Sequence, residues 1–310
     1  MGSSMKSWAH RITGPTVAVC LAAGVVAAGT ATADPATDGA ALVALGDSYS
    51  ANAYDWVQGE IFGTAHCVQS DTSWPVQLRD RMGLTAADTA NHACAGASVD
   101  TGPGYTAALE ARDAAQDGAF GPGTRLVTLQ FGMNDTWGGT RQTMWKAIGQ
   151  CVLNVVDGCA EDAVDQGRIP DHRAVTGPAY ADRIRNVVDY IRYYAPNARI
   201  VFVGYPEIAA PGSNTVCLNL FGVAPIVQSR AGAALEYFDA VDRAQREAAG
   251  LLGVEFLDAR ALTAGHGLCS DRPWLNGVVD PRADASGLPF HPSVQGDAVL
   301  ANALYDIAVQ

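Results

Sequence analysis

Short apolar runs separated by helix-length segments constrain this chain more than any other feature. Residues 40–45 form one such run, stopped by Gly46, and residues 125–131, 199–203 and 254–257 form three more. Each is too short for a buried helix, and mainly apolar as a strand buried in a sheet is. The segments between and after them have helical period. Over 72–82, Trp74, Val76, Leu78 and Met82 are spaced among charged residues. Residues 141–156, 178–194, 224–249 and 294–307 read the same way, and Pro178 suits a first helical turn. Apolar strands alternating with helices predict an α/β fold, a mostly parallel sheet with helices on both faces. Such sheets carry their chemistry in loops beyond the C-terminal strand ends. Here those loops are 46–50, 132–135 and 205–207.

The first 33 residues are set apart. Lys6 and Arg11 precede an apolar stretch over 16–29, and Ala31-Thr32-Ala33 supplies the small residues of a cleavage site. The stretch is short for a membrane span. A secretory signal peptide over 1–33 is expected, then a single domain over 34–310, with the product secreted. Cys20 would leave with the signal. Of the seven cysteines, Cys67, Cys94, Cys151, Cys159, Cys217 and Cys269 then remain. An even number in an exported chain predicts disulfides. Neighbours in order, Cys67–Cys94, Cys151–Cys159 and Cys217–Cys269, make the simplest pairing, although spacing alone leaves other pairings open.

Hydrophobic residues make up 48% of the chain, enough for a large core and against a disordered acidic chain. The formal net charge is -12 with only 20 Lys and Arg. No basic stripe is present, which argues against nucleic acid as a partner. The same scarcity predicts local docking of substrate without stable membrane insertion. The cysteines include no CxxC pair, so zinc-finger metal binding is excluded.

The most informative stretch is Leu42-Val43-Ala44-Leu45-Gly46-Asp47-Ser48. A strand runs directly into Gly-Asp-Ser, so Ser48 opens the next turn beside free backbone N–H groups. A serine placed so can attack a carbonyl carbon and leave the oxyanion facing those donors. Ser50 stands where the G-x-S-x-G elbow needs its second glycine, so the turn is of another kind. Ordinary turns also use Gly, Asp and Ser, and a base is required. His291, in Leu288-Pro289-Phe290-His291-Pro292-Ser293, stands just before the last helix. Pro292 restricts it to extended backbone. Its imidazole can take the Ser48 proton and return it to a leaving alcohol. Gly132-Met133-Asn134-Asp135 follows a strand; Asn134 can donate to an oxyanion and Asp135 can accept from loop backbone. Ala95-Gly96-Ala97-Ser98 is a second small-residue loop, where the Gly96 N–H can approach the same oxygen. Asn134-Asp135-Thr136 also matches a glycosylation acceptor, which conflicts with a buried donor.

These blocks, in this order, resemble the SGNH hydrolase family, also called GDSL esterases and lipases, and within it the secreted three-disulfide actinobacterial branch. The resemblance implies a three-layer α/β/α sandwich with a flavodoxin-like sheet. It implies Ser48 as nucleophile, His291 as base, and an oxyanion hole from the Ser48 and Gly96 N–H groups and the Asn134 side chain. Asp47 and Asp135 belong to the matching blocks as supporting residues, and the branch pairs its disulfides sequentially. There is one departure. The family pattern has an aspartate three residues before the histidine, and here Leu288 stands there. Either the Leu288 backbone carbonyl accepts the His291 Nδ1–H, leaving a Ser–His dyad, or Asp284 folds back as third member.

The function so implied is hydrolysis of carboxylic esters through an acyl-enzyme, with no metal or organic cofactor. A small-molecule or lipid ester is the expected substrate and a monomer the expected state. Tyr49, Tyr54, Trp56, Phe62, Trp137 and Trp145 are candidates to line an acyl groove, with 205–207 at its rim. Lipase, esterase and carbohydrate deacetylase are not separated by these residues. Two other classes compete. Asp47, Asp135 and His291 could serve as ligands of a metal-dependent phosphoesterase, although no HxH, DxH or HExxH cluster accompanies them. A non-catalytic extracellular carbohydrate-binding or cell-wall protein would use exposed aromatics.

Overall fold

A computed structural model describes residues 38–53, 67–102, 104–221 and 224–310. The leader expected over 1–33 lies outside the described residues, as do Tyr54, Trp56 and Phe62. The central sheet contains β1 (Leu42–Gly46), β2 (Thr89–Asn91), β3 (Leu126–Gln130), β4 (Arg199–Val203) and β7 (Glu255–Leu257), in the order β2-β1-β3-β4-β7. All four pairings are parallel. β5 (Val216–Leu220) and β6 (Ala224–Gln228) form a separate antiparallel hairpin. Among the described residues the α-helices are α1 (Ser48–Ala51), α2 (Trp74–Arg81), α3 (Ala107–Gln116), α4 (Met144–Cys151), α5 (Glu161–Asp165), α6 (Gly177–Tyr194), α7 (Gly232–Leu252), α8 (Ala259–Leu262) and α9 (Val294–Ala308).

Side chains alternate across each strand, so one sheet feeds two cores. Leu42, Ala44, Leu126, Val201 and Val203 pack with Trp74 and Leu78 of α2 and with Leu300 and Leu304 of α9. Val43, Leu45, Val127, Leu129, Ile200 and Phe202 face the other way, with Ala107 and Ala111 of α3, Ile184 and Val188 of α6, and Val241 of α7. Burial on both faces explains why the runs carry no polar alternation. Each such large apolar side chain contributes roughly 2 kcal/mol when taken from water. The result is the three-layer α/β/α sandwich. β1 and β3 stay in register from Leu42 opposite Leu126 to Gly46 opposite Gln130. Both strands therefore end at one level, which places the Gly-Asp-Ser and Gly-Met-Asn-Asp segments side by side.

Two local expectations are corrected. The helix expected over 224–249 begins as the strand Ala224–Gln228 and turns helical only at Gly232. Pro225 lacks a helix donor, and the β-branched pair Ile226-Val227 fits a hairpin better than a helix. The helix expected over 141–156 covers only Met144–Cys151; the chain then loops back to a Cys151–Cys159 disulfide. α3 had no expectation because its buried face is mostly alanine, Ala107, Ala111 and Ala114, which gives little hydrophobic contrast. Cys67–Cys94 and Cys217–Cys269 are the other two disulfides, so the cysteines pair in chain order.

Candidate active site

The turn after β1 is fixed by close packing. A Cβ on Gly46 would collide with the Ser50 hydroxyl and lie 3.0 Å from the Gln130 carbonyl oxygen, so only glycine fits. The buried Asp47 caps α1, its carboxylate accepting from the Tyr49 N–H at 2.9 Å and from the Tyr205 hydroxyl at 2.6 Å. Burial pushes the Asp47 carboxyl up to about 7, against the lowering effect of both donors. Ser48 is the first residue of α1 and is partly exposed. Among the described residues nothing accepts from its backbone N–H.

His291 reaches this turn from 243 residues away: its Nε2 lies 2.7 Å from Ser48 Oγ. Its Nδ1 lies 2.8 Å from the Pro289 carbonyl oxygen. A carbonyl only accepts, so Nδ1 carries the proton and Nε2 presents its lone pair to the Ser48 hydroxyl. That is the tautomer a general base requires. The ring is 0% exposed. It packs 4.3 Å from the Tyr49 ring and meets the Trp145 ring edge-on at 5.2 Å, centroid to centroid. Burial lowers the imidazole pKa to about 4, and the bond to Pro289 opposes that shift.

The carbonyl expected from Leu288 is thus supplied by Pro289. Leu288 O is occupied by the His291 backbone N–H at 3.1 Å. Phe290, at φ +68°, turns the chain so that the ring folds back on the carbonyl two residues earlier. Asp284 does not approach the imidazole either. Its carboxylate accepts from the Val294 N–H at 2.9 Å, at the start of α9.

The two small-residue loops meet each other through Asn134 and Asp135. Gly96 adopts φ +79°, a conformation that favours glycine, and its N–H also has no acceptor among the described residues. Asn134 spends one amide N–H on the Ala97 carbonyl at 2.9 Å and keeps the second. Asp135 locks the two loops together: it accepts from the Val99 N–H at 2.9 Å and the Thr101 hydroxyl at 3.1 Å, and pairs with Arg183. Burial raises the Asp135 pKa although Arg183 pulls it down. The Cys94 N–H donates to the Gly46 carbonyl at 2.9 Å, fastening the Gly96 loop to the serine turn.

Other expectations fare differently. Tyr205 is not a rim residue but lies buried below the site, its hydroxyl joining Asp47 to the Met133 N–H at 3.3 Å. Trp137 is buried against Tyr180, with Arg183 over its ring. Trp145 remains at the site, 40% exposed. Among the described residues no group of three His, Cys, Asp or Glu side chains is placed to hold a metal ion, so Asp47, Asp135 and His291 do not form a metal centre. Gln130 was not anticipated. Its side chain accepts from the Ser50 hydroxyl at 2.8 Å and the Trp74 indole N–H at 3.1 Å, and donates to the Gly204 carbonyl at 2.9 Å. A lone amide closing the apolar run Leu-Val-Thr-Leu-Gln was the available signal.

Comparison with known proteins agrees with this geometry. Residues 44–299 match the model of the GDSL-like Lipase/Acylhydrolase family. Lipase 1 of Streptomyces coelicolor is 31% identical over 295 residues, covering 93% of this chain and 94% of the relative. A lipase of Streptomyces rimosus is 30% identical, covering 83% and 82%. The crystal structure of phospholipase A1 from Streptomyces albidoflavus shares the fold, with a TM-score of 0.58 at 22% identity over 86% of this chain and 99% of the other. With the serine turn, the histidine loop and the matched length all in place, the chain belongs to the GDSL-like Lipase/Acylhydrolase family and is a serine hydrolase of carboxylic esters.

Proposed function

We propose that Ser48 and His291 act as a catalytic dyad on lipid-like carboxylic esters outside the cell. His291 Nε2 takes the Ser48 hydroxyl proton as Oγ attacks the ester carbonyl carbon. The oxyanion is met by the Ser48 and Gly96 N–H groups and the free N–H of Asn134. Collapse breaks the C–O bond to the alcohol, which leaves with the proton from His291. Water then gives its proton to the same nitrogen as it attacks the acyl carbon; the bond to Ser48 Oγ breaks, His291 returns the proton to Oγ, and the acid leaves. Pro289 O holds the tautomer throughout. Asp47 and Asp135 support the loops without touching the reacting atoms. No step calls for a metal or cofactor.

The observation that carries this reading is the 2.7 Å approach of Ser48 Oγ and His291 Nε2. Fluorophosphonate labelling tests it. The label is expected on Ser48 and should vanish in Ser48→Ala; modification of another residue, or full ester turnover by Ser48→Ala, would end it.

A lipid-like acyl group is favoured by what surrounds Trp145. The helix carrying it leads into Leu153, Val155 and Val156, which are 50%, 65% and 75% exposed. These side chains sit on a braced loop: Gln228 donates to the Asn154 carbonyl at 2.8 Å, and the Cys151–Cys159 bridge closes it. Apolar tips on a fixed support suit contact with an acyl-rich surface. Among the described residues no helix is long and apolar enough to cross a membrane. We place the chain outside the cell as a monomer, released by cleavage after Ala33; mass spectrometry of the exported product checks the cleavage.

A further inference from the structure

The two reacting residues come from opposite ends of the chain, and α1 ends in a side chain that touches the other end. Asn52 caps α1 in the left-handed conformation, φ +46°, and its N–H donates to the Ser48 carbonyl at 2.8 Å. Its side-chain amide donates to the Pro292 carbonyl at 2.8 Å and to the Asp297 carboxylate at 2.6 Å. Pro292 follows His291 directly. One residue therefore closes a ring of contacts: Ser48 backbone, Asn52 backbone, Asn52 amide, Pro292 carbonyl, His291. Asp297 backs the amide from the first turn of α9. It is fully buried, and its Oδ2 is the atom that accepts from Asn52.

We propose that Asn52, backed by Asp297, is a positioning residue that sets the separation between Ser48 Oγ and His291 Nε2. The inference rests on the dyad reading above. Two other side chains grip the histidine loop but divide the work differently. Asn276 pairs its backbone with Phe290 and His291, at 2.8 Å in both directions, and donates its amide to Pro292 O at 3.0 Å. It fixes the shape of the loop without contacting the serine turn. Tyr49 donates to the Phe290 carbonyl at a longer 3.1 Å and packs on the imidazole. Asn52 alone among these joins the carbonyl of Ser48 to the residue beside His291. A cavity of about 660 Å³ is lined by Asn52, Asn276, Asp284 and Pro292, and neither Ser48 nor His291 lines it. The amide thus acts through the two loops and not on bound ester.

The test is Asn52→Gly in the full secreted chain. Glycine keeps the left-handed backbone, whereas alanine would add strain of its own. Misplacement of a base by a fraction of an ångström lowers turnover without weakening substrate binding; kcat on a soluble ester should fall about tenfold or more with KM within about twofold. The rate of fluorophosphonate labelling should fall in parallel, measured well below the Tm. A kcat within about twofold of the parent, or a loss carried by KM alone, overturns the proposal. Should Asn52→Gly fail to fold, Asn52→Ser is read the same way. Asp297→Asn can still accept from Asn52 through its amide oxygen, so it should retain more kcat than Asn52→Gly, and a larger loss also overturns the pairing. Ser48→Ala tests the dyad separately: if it keeps full turnover the dyad is wrong, whereas unchanged kcat in Asn52→Gly with a dead Ser48→Ala rejects the tie alone.

Discussion

The turn after β1 and the loop before α9 bring together the two groups of the proposed dyad, yet they are built from different materials. The turn is held by polar side chains. Asp47 receives Tyr49 and Tyr205, Ser50 donates to Gln130, and the buried Glu110 accepts from the Gly46 N–H at 2.8 Å. The loop is held by main chain. Pro289 O meets the imidazole, Leu288 O takes the His291 N–H, and Pro292 O takes two amides. The contrast has a physical consequence. A side-chain acceptor can be deleted or neutralised by one substitution. A main-chain acceptor cannot, and it brings no net charge to the imidazole it orients.

Removing either reacting group erases the contrast altogether. Ser48→Ala and His291→Ala should each lower kcat on a soluble ester by about 10⁴-fold, and the double variant should be hardly worse than either single one, because the two act as a unit. Steady-state assays of the three proteins decide this, and additive losses would separate the two groups.

The next largest effect belongs to the turn. Asp47→Asn leaves either the Tyr205 hydroxyl or the Tyr49 N–H facing an amide NH₂ group instead of an acceptor. Losing one hydrogen bond and leaving its donor unsatisfied in a buried site costs about 2 kcal/mol. Thermal or denaturant unfolding should show that loss, with kcat down roughly tenfold as Ser48 shifts. A variant as stable and as active as the parent would mean that the side-chain network is dispensable and the comparison false.

The same contrast explains what could be read before folding. Ser48, Gly96, Asn134 and His291, the residues of the proposed site, stood out because each is a distinctive side chain or a glycine in a block beside a recognisable element; Ser48 and Asn134 follow β1 and β3, and His291 precedes α9. β1, β3, β4 and β7 were equally legible, since burial leaves short, mainly apolar runs. Pro289 was not legible as the imidazole's partner. Its contribution is a carbonyl that every residue possesses, and only the left-handed Phe290 selects it over Leu288. β2 and the β5–β6 hairpin were missed for a related reason. Thr-Ala-Asn at a half-buried edge has no apolar signature, and the hairpin's second strand runs into helix α7 after only a few residues.

The loop can be probed by pH. With no carboxylate beside it among the described residues, burial holds His291 at about 4, below its ordinary 6.5. Only the neutral ring can accept the Ser48 proton, so activity is lost as pH falls. The acid limb of kcat/KM should therefore lie between these two values, nearer the lower, and the profile should be flat from there to neutrality. The same depression adds stability that is fully present above the unfolded value and lost as pH falls towards the folded one. A midpoint at or above 6.5 would reveal a negative charge at the imidazole and make the loop resemble the turn.

The smallest expected effect is the one most specific to the loop. Asp284 is the nearest upstream carboxylate in sequence, and a third catalytic member, if a side chain filled that role, would come from there. In the structure its Oδ2 accepts from the Val294 N–H at 2.9 Å while its own N–H donates to Asn276 Oδ1 at 3.1 Å. An asparagine can make both bonds with its amide oxygen and backbone. Asp284→Asn should therefore leave kcat/KM within about twofold and the acid limb unmoved, at the cost of a few tenths of a kcal/mol where a charge at the first turn of α9 is lost. Only a carboxylate acting on His291 would produce a tenfold fall together with an acid limb displaced to lower pH. The two readouts matter jointly: a fall in activity with a fixed limb would report a disturbed α9, whereas a moved limb would report charge at the ring.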